Sequence, residues 1–219
     1  MEISENIKKY KEELGDSVSL VAISKTKPES DLLEAYQGGQ RVFGENKIQE
    51  MAEKWENLPK DIQWHMVGHV QRNKVKYMAP FVSLIHAVDS LKLLKEIDKE
   101  AEKNNRTIDC LLQIKIAKED TKFGLDADDA KEILSSEALS ELKNIRITGL
   151  MGMATFTEEE AIVKGEFDYL KSVYDNLKKE QPQFEVLSMG MSGDYKIAVT
   201  CGSNMVRIGS AIFGERNYN

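Results

Sequence analysis

The chain has 219 residues, 41% of them hydrophobic and 31% charged, with a formal net charge of -7. That is enough apolar material for one large domain with a real core, and the acidic balance argues against a nucleic-acid scaffold. No uninterrupted apolar run approaches the roughly 20 residues that span a bilayer. The two cysteines, Cys110 and Cys201, lie far apart and form neither a metal spacing nor a disulfide framework. They read as reduced thiols. The opening residues, Met1 to Asn6, lack the basic-then-apolar pattern of a signal peptide. A cytoplasmic location is expected, with no membrane or nucleic-acid partner.

Ile3 to Leu14 reads as a leading helix. The first β-rich run is Val18 to Ser24, and Ser30 to Gly38 follows with a helical apolar face and a Gly-Gly stop. Three further runs are Arg41 to Gly44, Ile62 to Val67 and Leu84 to Val88. Ser90 to Asn104 carries Leu91, Leu94, Ile97 and Ala101 at helical spacing, with Asp89-Ser90 suited to an N-cap. Cys110 to Ile116 and Ile145 to Leu150 are strands five and six. Glu158 to Glu180 is a long amphipathic stretch whose three glutamates suit a first helical turn. Glu185 to Met189 and Met205 to Ile208 complete eight candidate strands. Strands alternating with helices imply parallel βαβ units. Eight units in this length predict a single (β/α)8 TIM barrel spanning residues 1–219, filled by inward branched side chains. The competing architecture is an open doubly wound sheet, but no Gly-x-Gly-x-x-Gly follows the first strand.

In such a barrel the chemistry belongs at the C-terminal strand ends, with phosphate held after strands seven and eight. Lys25 stands at the first of these ends. An amine half-withdrawn from water has its charged form disfavoured, and a neutral lysine amine forms Schiff bases. A solvated strand-capping lysine is the alternative. Strand seven leads into Ser192-Gly193-Asp194 and strand eight into Gly209-Ser210. Glycine lets backbone N–H groups approach an anion, and a short helix start adds partial positive charge, so Ser192, Gly193, Gly209 and Ser210 can cradle a phosphate. Plain turn chemistry is the competing account.

Arg207 interrupts an apolar strand and points toward the barrel mouth. It needs an acceptor, either a ligand lone pair or a carboxylate such as Asp194 or Glu215. His65 and His69 straddle a strand end without a third ligand cluster, so a zinc site is not expected. His86 reads as a core or strand-end histidine. Met151, Met153, Met189 and Met191 read as packing, and Lys122 as solvated.

Together these stretches resemble the pyridoxal phosphate homeostasis proteins, related to the N-terminal barrel of alanine racemase. The resemblance rests on residues 21–28, Phe43-Gly44-Glu45-Asn46, Trp64 to Gly68, Asn73 to Lys76, the specific run Leu187 to Asp194, and Val206 to Arg216. It implies a fold-type III barrel carrying pyridoxal 5′-phosphate as a Schiff base on Lys25, with Lys27 a weaker second choice. It implies cofactor contacts from Asn46, Met189, Ser192, Gly193, Arg207, Gly209 and Ser210. Arg207 would face the pyridine nitrogen and Asn46 the O3′ side of the ring. The chain departs from the family pattern at His69 and Arg72, where Leu or Pro and Ser are expected, and at Ser210, where Thr is common. Cys201, in an unusual run, reads as a redox handle or a small core residue.

The resemblance further implies a carrier that keeps vitamin B6 and amino-acid pools in balance, with apo-enzymes as possible recipients; a monomer is the default expectation. An arginine against the ring nitrogen leaves the ring a poor electron sink. The opposing base of a racemase comes from a second domain, which is not expected here. The rival readings are a low-activity racemase or decarboxylase using Tyr195 or His69 as second base, and a Schiff-base aldolase without the cofactor.

Overall fold

The computed structural model describes residues 2–118 and 123–214; Lys122, Glu215 and Arg216 lie outside them. Eight parallel strands close into a barrel in sequence order, β1(Ser19–Ile23), β2(Val42–Glu45), β3(Gln63–Met66), β4(Val82–Val88), β5(Ile108–Ile114), β6(Ile145–Gly152), β7(Val186–Met191) and β8(Met205–Ile208). Closure is made by β1 against β8, with Ser19 opposite Met205 and Val21 opposite Arg207.

The helices are α1(Ile3–Leu14), α2(Glu29–Gln37), α3(Ile48–Asn57), α4(Val75–Met78), α5(Leu91–Lys103), α6(Ala127–Ser135), α7(Glu137–Ser140), α8(Glu160–Lys178), α9(Tyr195–Thr200) and α10(Ser210–Phe213). The leading helix is as the sequence predicts. Its first turn is capped by Glu34 of α2, whose Oε1 accepts from the Ile3 N–H at 2.6 Å, and Asn6 Nδ2 donates to the Ile212 carbonyl. Ser90 caps α5 by accepting from Leu93 N–H. The helix α3 was not assigned from sequence, although Ile48, Met51 and Trp55 sit at helical spacing. A parallel β2–β3 pair requires a crossover there.

Several strand bounds differ from the apolar runs. β5 begins two residues early, at Ile108, and β6 and β7 each run two residues further, to Gly152 and Met191. Backbone pairing fixes these ends: Ile108 pairs with Ile145 and Ile114 with Gly152. Hydrophobicity alone does not report where a ladder stops.

The main core lies between barrel and helices, around Trp64, Phe43 and Phe167. A second apolar cluster, including Val21, Leu84, Leu111, Met151 and Met205, fills the barrel itself. Because side chains repeat every two residues along a strand, the positions two further on share that inward face. From Leu84, Leu111 and Met205 the next inward positions are His86, Gln113 and Arg207, all buried. From Val21 and Met151 they are Ile23 and Met153, so the upper half of the interior mixes buried polar groups with apolar ones and is not filled by branched aliphatics alone as expected. No helix among the described residues is long and apolar enough to cross a membrane.

Candidate functional site

The C-terminal strand ends open into a cavity of about 660 Å³, within the range that encloses a small cofactor. Lys25 enters it from the end of β1, and Lys27 lines the same wall. Lys25 is half-buried. Lys27 Nζ also donates to the Phe213 carbonyl at 2.9 Å, tying the β1 end to α10. Asn46, at the end of the neighbouring strand β2, lines the cavity with Gly68. Gly68 is needed there because a Cβ at that position would lie 2.5 Å from the Asn46 carbonyl oxygen.

Ser192 and Gly193 follow β7, while Gly209 and Ser210 follow β8, and all four line the cavity. The two bends are joined directly: Gly209 N–H donates to Ser192 Oγ at 3.2 Å. Asp194 braces the first bend by accepting from Met191 N–H at 2.5 Å. Gly193 has no atom within 4 Å of where a Cβ would stand, so its backbone is bare toward open space. That is the form an anion cradle takes.

Arg207 rises through the barrel floor into the same cavity. Its guanidinium donates to the carbonyls of Ser188 and Gly152, each at 3.0 Å, and to Ser188 Oγ at 2.6 Å. Burial pulls its pKa down to about 10, and the charge of Asp194 partly restores it. It is therefore cationic at neutral pH. A buried chain continues below it: Ser188 Oγ meets His86 Nδ1 at 3.0 Å, and His86 Nε2 meets His65 Nδ1 at 3.0 Å. Arginine has only donors, so Ser188 Oγ accepts from it. Each imidazole thus has a hydrogen-bonding neighbour inside the barrel. Burial holds them neutral, His65 down to about 3 and His86 well below 6.5.

Of the candidates read from sequence, Lys25, Asn46, Ser192, Gly193, Arg207, Gly209 and Ser210 meet in this cavity. Met189 does not. It is fully buried in the main core, and its neighbour two positions on, Met191, lines the cavity. The methionine expected to pack is thus the one lining the cavity, because Gly190 at φ +99 and a register shift between Ser188 and Met191 interrupt the alternation of β7. His65 and His69 also part company, one inside the barrel and the other at the rim, stacked on Phe123 at 5.0 Å between centroids. Tyr195 lies outside the cavity lining, its hydroxyl donating to Glu13 Oε1 at 2.9 Å. Cys201 is buried outside the lining as well, and burial and the Asp168 carboxylate push its thiol pKa up. That suits a core residue and not a redox handle.

Sequence reasoning missed the wall beyond β6, where Met153, Thr155 and Phe156 line the cavity. Thr155 is fixed by Glu166 of α8, whose carboxylate accepts from both its N–H and its hydroxyl at 2.7 Å. The strand-end rule pointed to this loop, but its residues carry no phosphate or imine chemistry to mark it.

The sequence matches the family described as alanine racemase, N-terminal domain, over residues 1–217. It is 38% identical to the pyridoxal phosphate homeostasis protein of Aquifex aeolicus (strain VF5), over 99% of this chain and 96% of that one. The chain belongs to the pyridoxal phosphate homeostasis family. The homeostasis protein of Pasteurella multocida (strain Pm70) is 36% identical over 93% of this chain and 88% of its own. A solved structure of PipY from Synechococcus elongatus PCC7942 with PLP bound superposes with a TM-score of 0.88. It is 34% identical and covers 97% of this chain and 100% of its own. An alanine racemase from Clostridium difficile 630 shares the fold at a TM-score of 0.80 and 14% identity. This homeostasis-family chain spans 58% of that racemase.

Proposed function

We propose that this homeostasis-family protein binds pyridoxal 5′-phosphate in the upper cavity, as a Schiff base on Lys25, and serves as a carrier of the cofactor. One observation carries the reading: an amine from β1, the joined Ser192 and Gly209 bends, and a buried cation from β8 all open into one cavity. The PLP-bound PipY structure, similar over nearly the whole chain, supports it.

The cofactor supplies an aldehyde conjugated to an aromatic ring. Lys25 Nζ adds to the aldehyde carbon, a C=N bond replaces C=O, and the oxygen leaves as water. Ser192, Gly193, Gly209 and Ser210 hold the phosphate, Asn46 orients the O3′ edge, and Arg207 faces the ring nitrogen. Arg207 is anchored by three bonds to the protein and remains cationic, so it donates to that nitrogen without protonating it. The ring then withdraws electrons weakly, which suits storage and exchange.

The enzyme alternative needs a second base facing the cavity. Tyr195 is committed to Glu13 outside the lining, whereas His69 lines the cavity at its exposed rim, stacked on Phe123, so of the two only His69 is placed for that role and the racemisation assay tests it. The single barrel, residues 1–219, acts as one domain and a monomer, with apo-enzymes in the cytoplasm as recipients.

Spectra of the purified protein before and after borohydride reduction, with the modified peptide mapped by mass, test the reading. Yellow protein with the adduct on Lys25 is expected. Lys25→Ala should stay folded and colourless, and Lys27→Ala should keep most of the colour. Adduct on Lys27 overturns the lysine assignment. Sustained conversion of L- to D-amino acids at about 1 per second or faster overturns the carrier role.

A further inference from the structure

The segment that presents Lys25 is held in an unfavourable shape. Lys27 N–H donates to the Ser24 carbonyl at 3.1 Å, closing a four-residue turn with Lys25 second and Thr26 third. Thr26 has φ +64, the conformation that a type II turn demands of its third residue and that glycine supplies. Among the described non-glycine residues only Thr26 and Asn105 have positive φ. Asparagine tolerates that region, whereas a β-branched threonine is a genuine outlier.

Three side chains grip this turn on both sides of the lysine. Glu50 Oε1 accepts from Thr26 N–H at 2.5 Å, after Lys25 in sequence. Before it, Glu45 Oε1 accepts from Ser24 Oγ at 2.6 Å, and Lys54 Nζ donates to the Ser24 carbonyl at 2.8 Å. Lys54 Nζ also joins the two carboxylates, reaching Glu45 Oε1 and Glu50 Oε1 at 2.8 Å each. Glu45 is fully buried and Lys54 nearly so. Glu45 Oε2 has no hydrogen-bond partner among the described residues.

A buried ion pair is weak evidence for stability, since apolar residues of like volume often serve better. An orphaned carboxylate oxygen makes this one poorer still. The bonds instead go to the residues flanking the cavity lysine, at the place where the backbone is strained. Strain of this kind persists only where its surroundings over-determine it.

We propose that Glu45, Glu50 and Lys54 form a positioning clamp that holds Thr26 in the left-handed region and so fixes where the Lys25 amine enters the cavity. The clamp joins β1, β2 and α3 and acts through the lysine's neighbours. It rests on Lys25 being the imine-forming residue.

The test compares two probes on apo protein. Pyridoxal 5′-phosphate needs the amine to be aimed; pyridoxine 5′-phosphate has the same ring and phosphate but no aldehyde. For Glu50→Ala we expect affinity and rate of imine formation with the aldehyde to fall about tenfold or more, as misplacement of a reacting group does. Affinity for the alcohol should stay within about twofold. Adding Thr26→Gly to Glu50→Ala should restore most of the loss, because glycine adopts the turn without support.

Equal loss for both probes, no loss for either, or failure of the glycine to rescue overturns the clamp. Should Glu50→Ala not fold, Glu50→Gln carries the same comparison, with about a threefold loss confined to the aldehyde as the threshold. Lys25→Ala separates the two claims. If it still forms the imine, the lysine assignment is wrong whatever Glu50 does. If it abolishes the imine while Glu50→Ala changes nothing, the clamp alone is wrong.

Discussion

Acid should weaken this fold through the two histidines inside the barrel. His65 and His86 are buried and neutral, with pKa values of about 3 and well below 6.5, while an unfolded imidazole titrates near 6.5. The unfolded chain therefore binds protons between pH 6.5 and about 3 that the folded chain refuses. Stability is full above 6.5 and is lost as pH falls through that value. From pH 7 to pH 5 His65, with its folded value of about 3, contributes a loss of about 2 kcal/mol, and His86 adds a loss of the same sign. Glu45 works the other way. Burial raises its pKa above 4.5, so its contribution grows as pH falls through the folded value. That offset is common to wild type and histidine variants, so their difference isolates the imidazoles. Urea unfolding followed by circular dichroism at pH 7, 6 and 5 measures the loss. His86→Asn, which keeps a donor and an acceptor but cannot titrate, should make it clearly smaller. Equal losses in wild type and variant would refute the reasoning. So would folded-state His65 and His86 C–H resonances that titrate near pH 6.5.

Two other substitutions bear on how the site is built. Ser188→Ala removes the 2.6 Å charge-assisted bond to Arg207 and strips His86 Nδ1 of its partner, both in a fully buried place. It should cost about 2–4 kcal/mol, read as a fall in melting temperature of several degrees. Gly68→Ala puts a methyl 2.5 Å from the Asn46 carbonyl oxygen, against backbone that has little room to move. A loss of about 1–3 kcal/mol is expected from thermal melts, with weakened cofactor binding because Asn46 must shift.

Much of the barrel was legible because its elements announce themselves locally. The leading helix and β8 fell where periodicity and apolar runs put them. Lys25, the Ser192 and Gly209 bends and Arg207 were legible for another reason. Each breaks a local pattern, as a cation ending or interrupting an apolar strand or a glycine–serine pair at a strand exit. Met191 lines the cavity while Met189 lies in the main core, although alternation puts both on one strand face; Gly190 at φ +99 and a register shift between Ser188 and Met191 against β8 break that alternation, and no local apolar pattern reports the break. The wall at Met153 and Thr155 was missed because its residues carry no distinctive chemistry.

By itself the amino-acid order determined the alternation of strands and helices, and with it the barrel. Hydrophobic period and turn residues act over a few positions, so they can be read along the chain. Only the closed fold decided that residues 65, 86, 188 and 207 join into one hydrogen-bonded line. It also decided that Glu45, Glu50 and Lys54 converge on the turn bearing Lys25. These contacts link strands and helices far apart in sequence, and their geometry is set by barrel closure and packing, which no local pattern encodes.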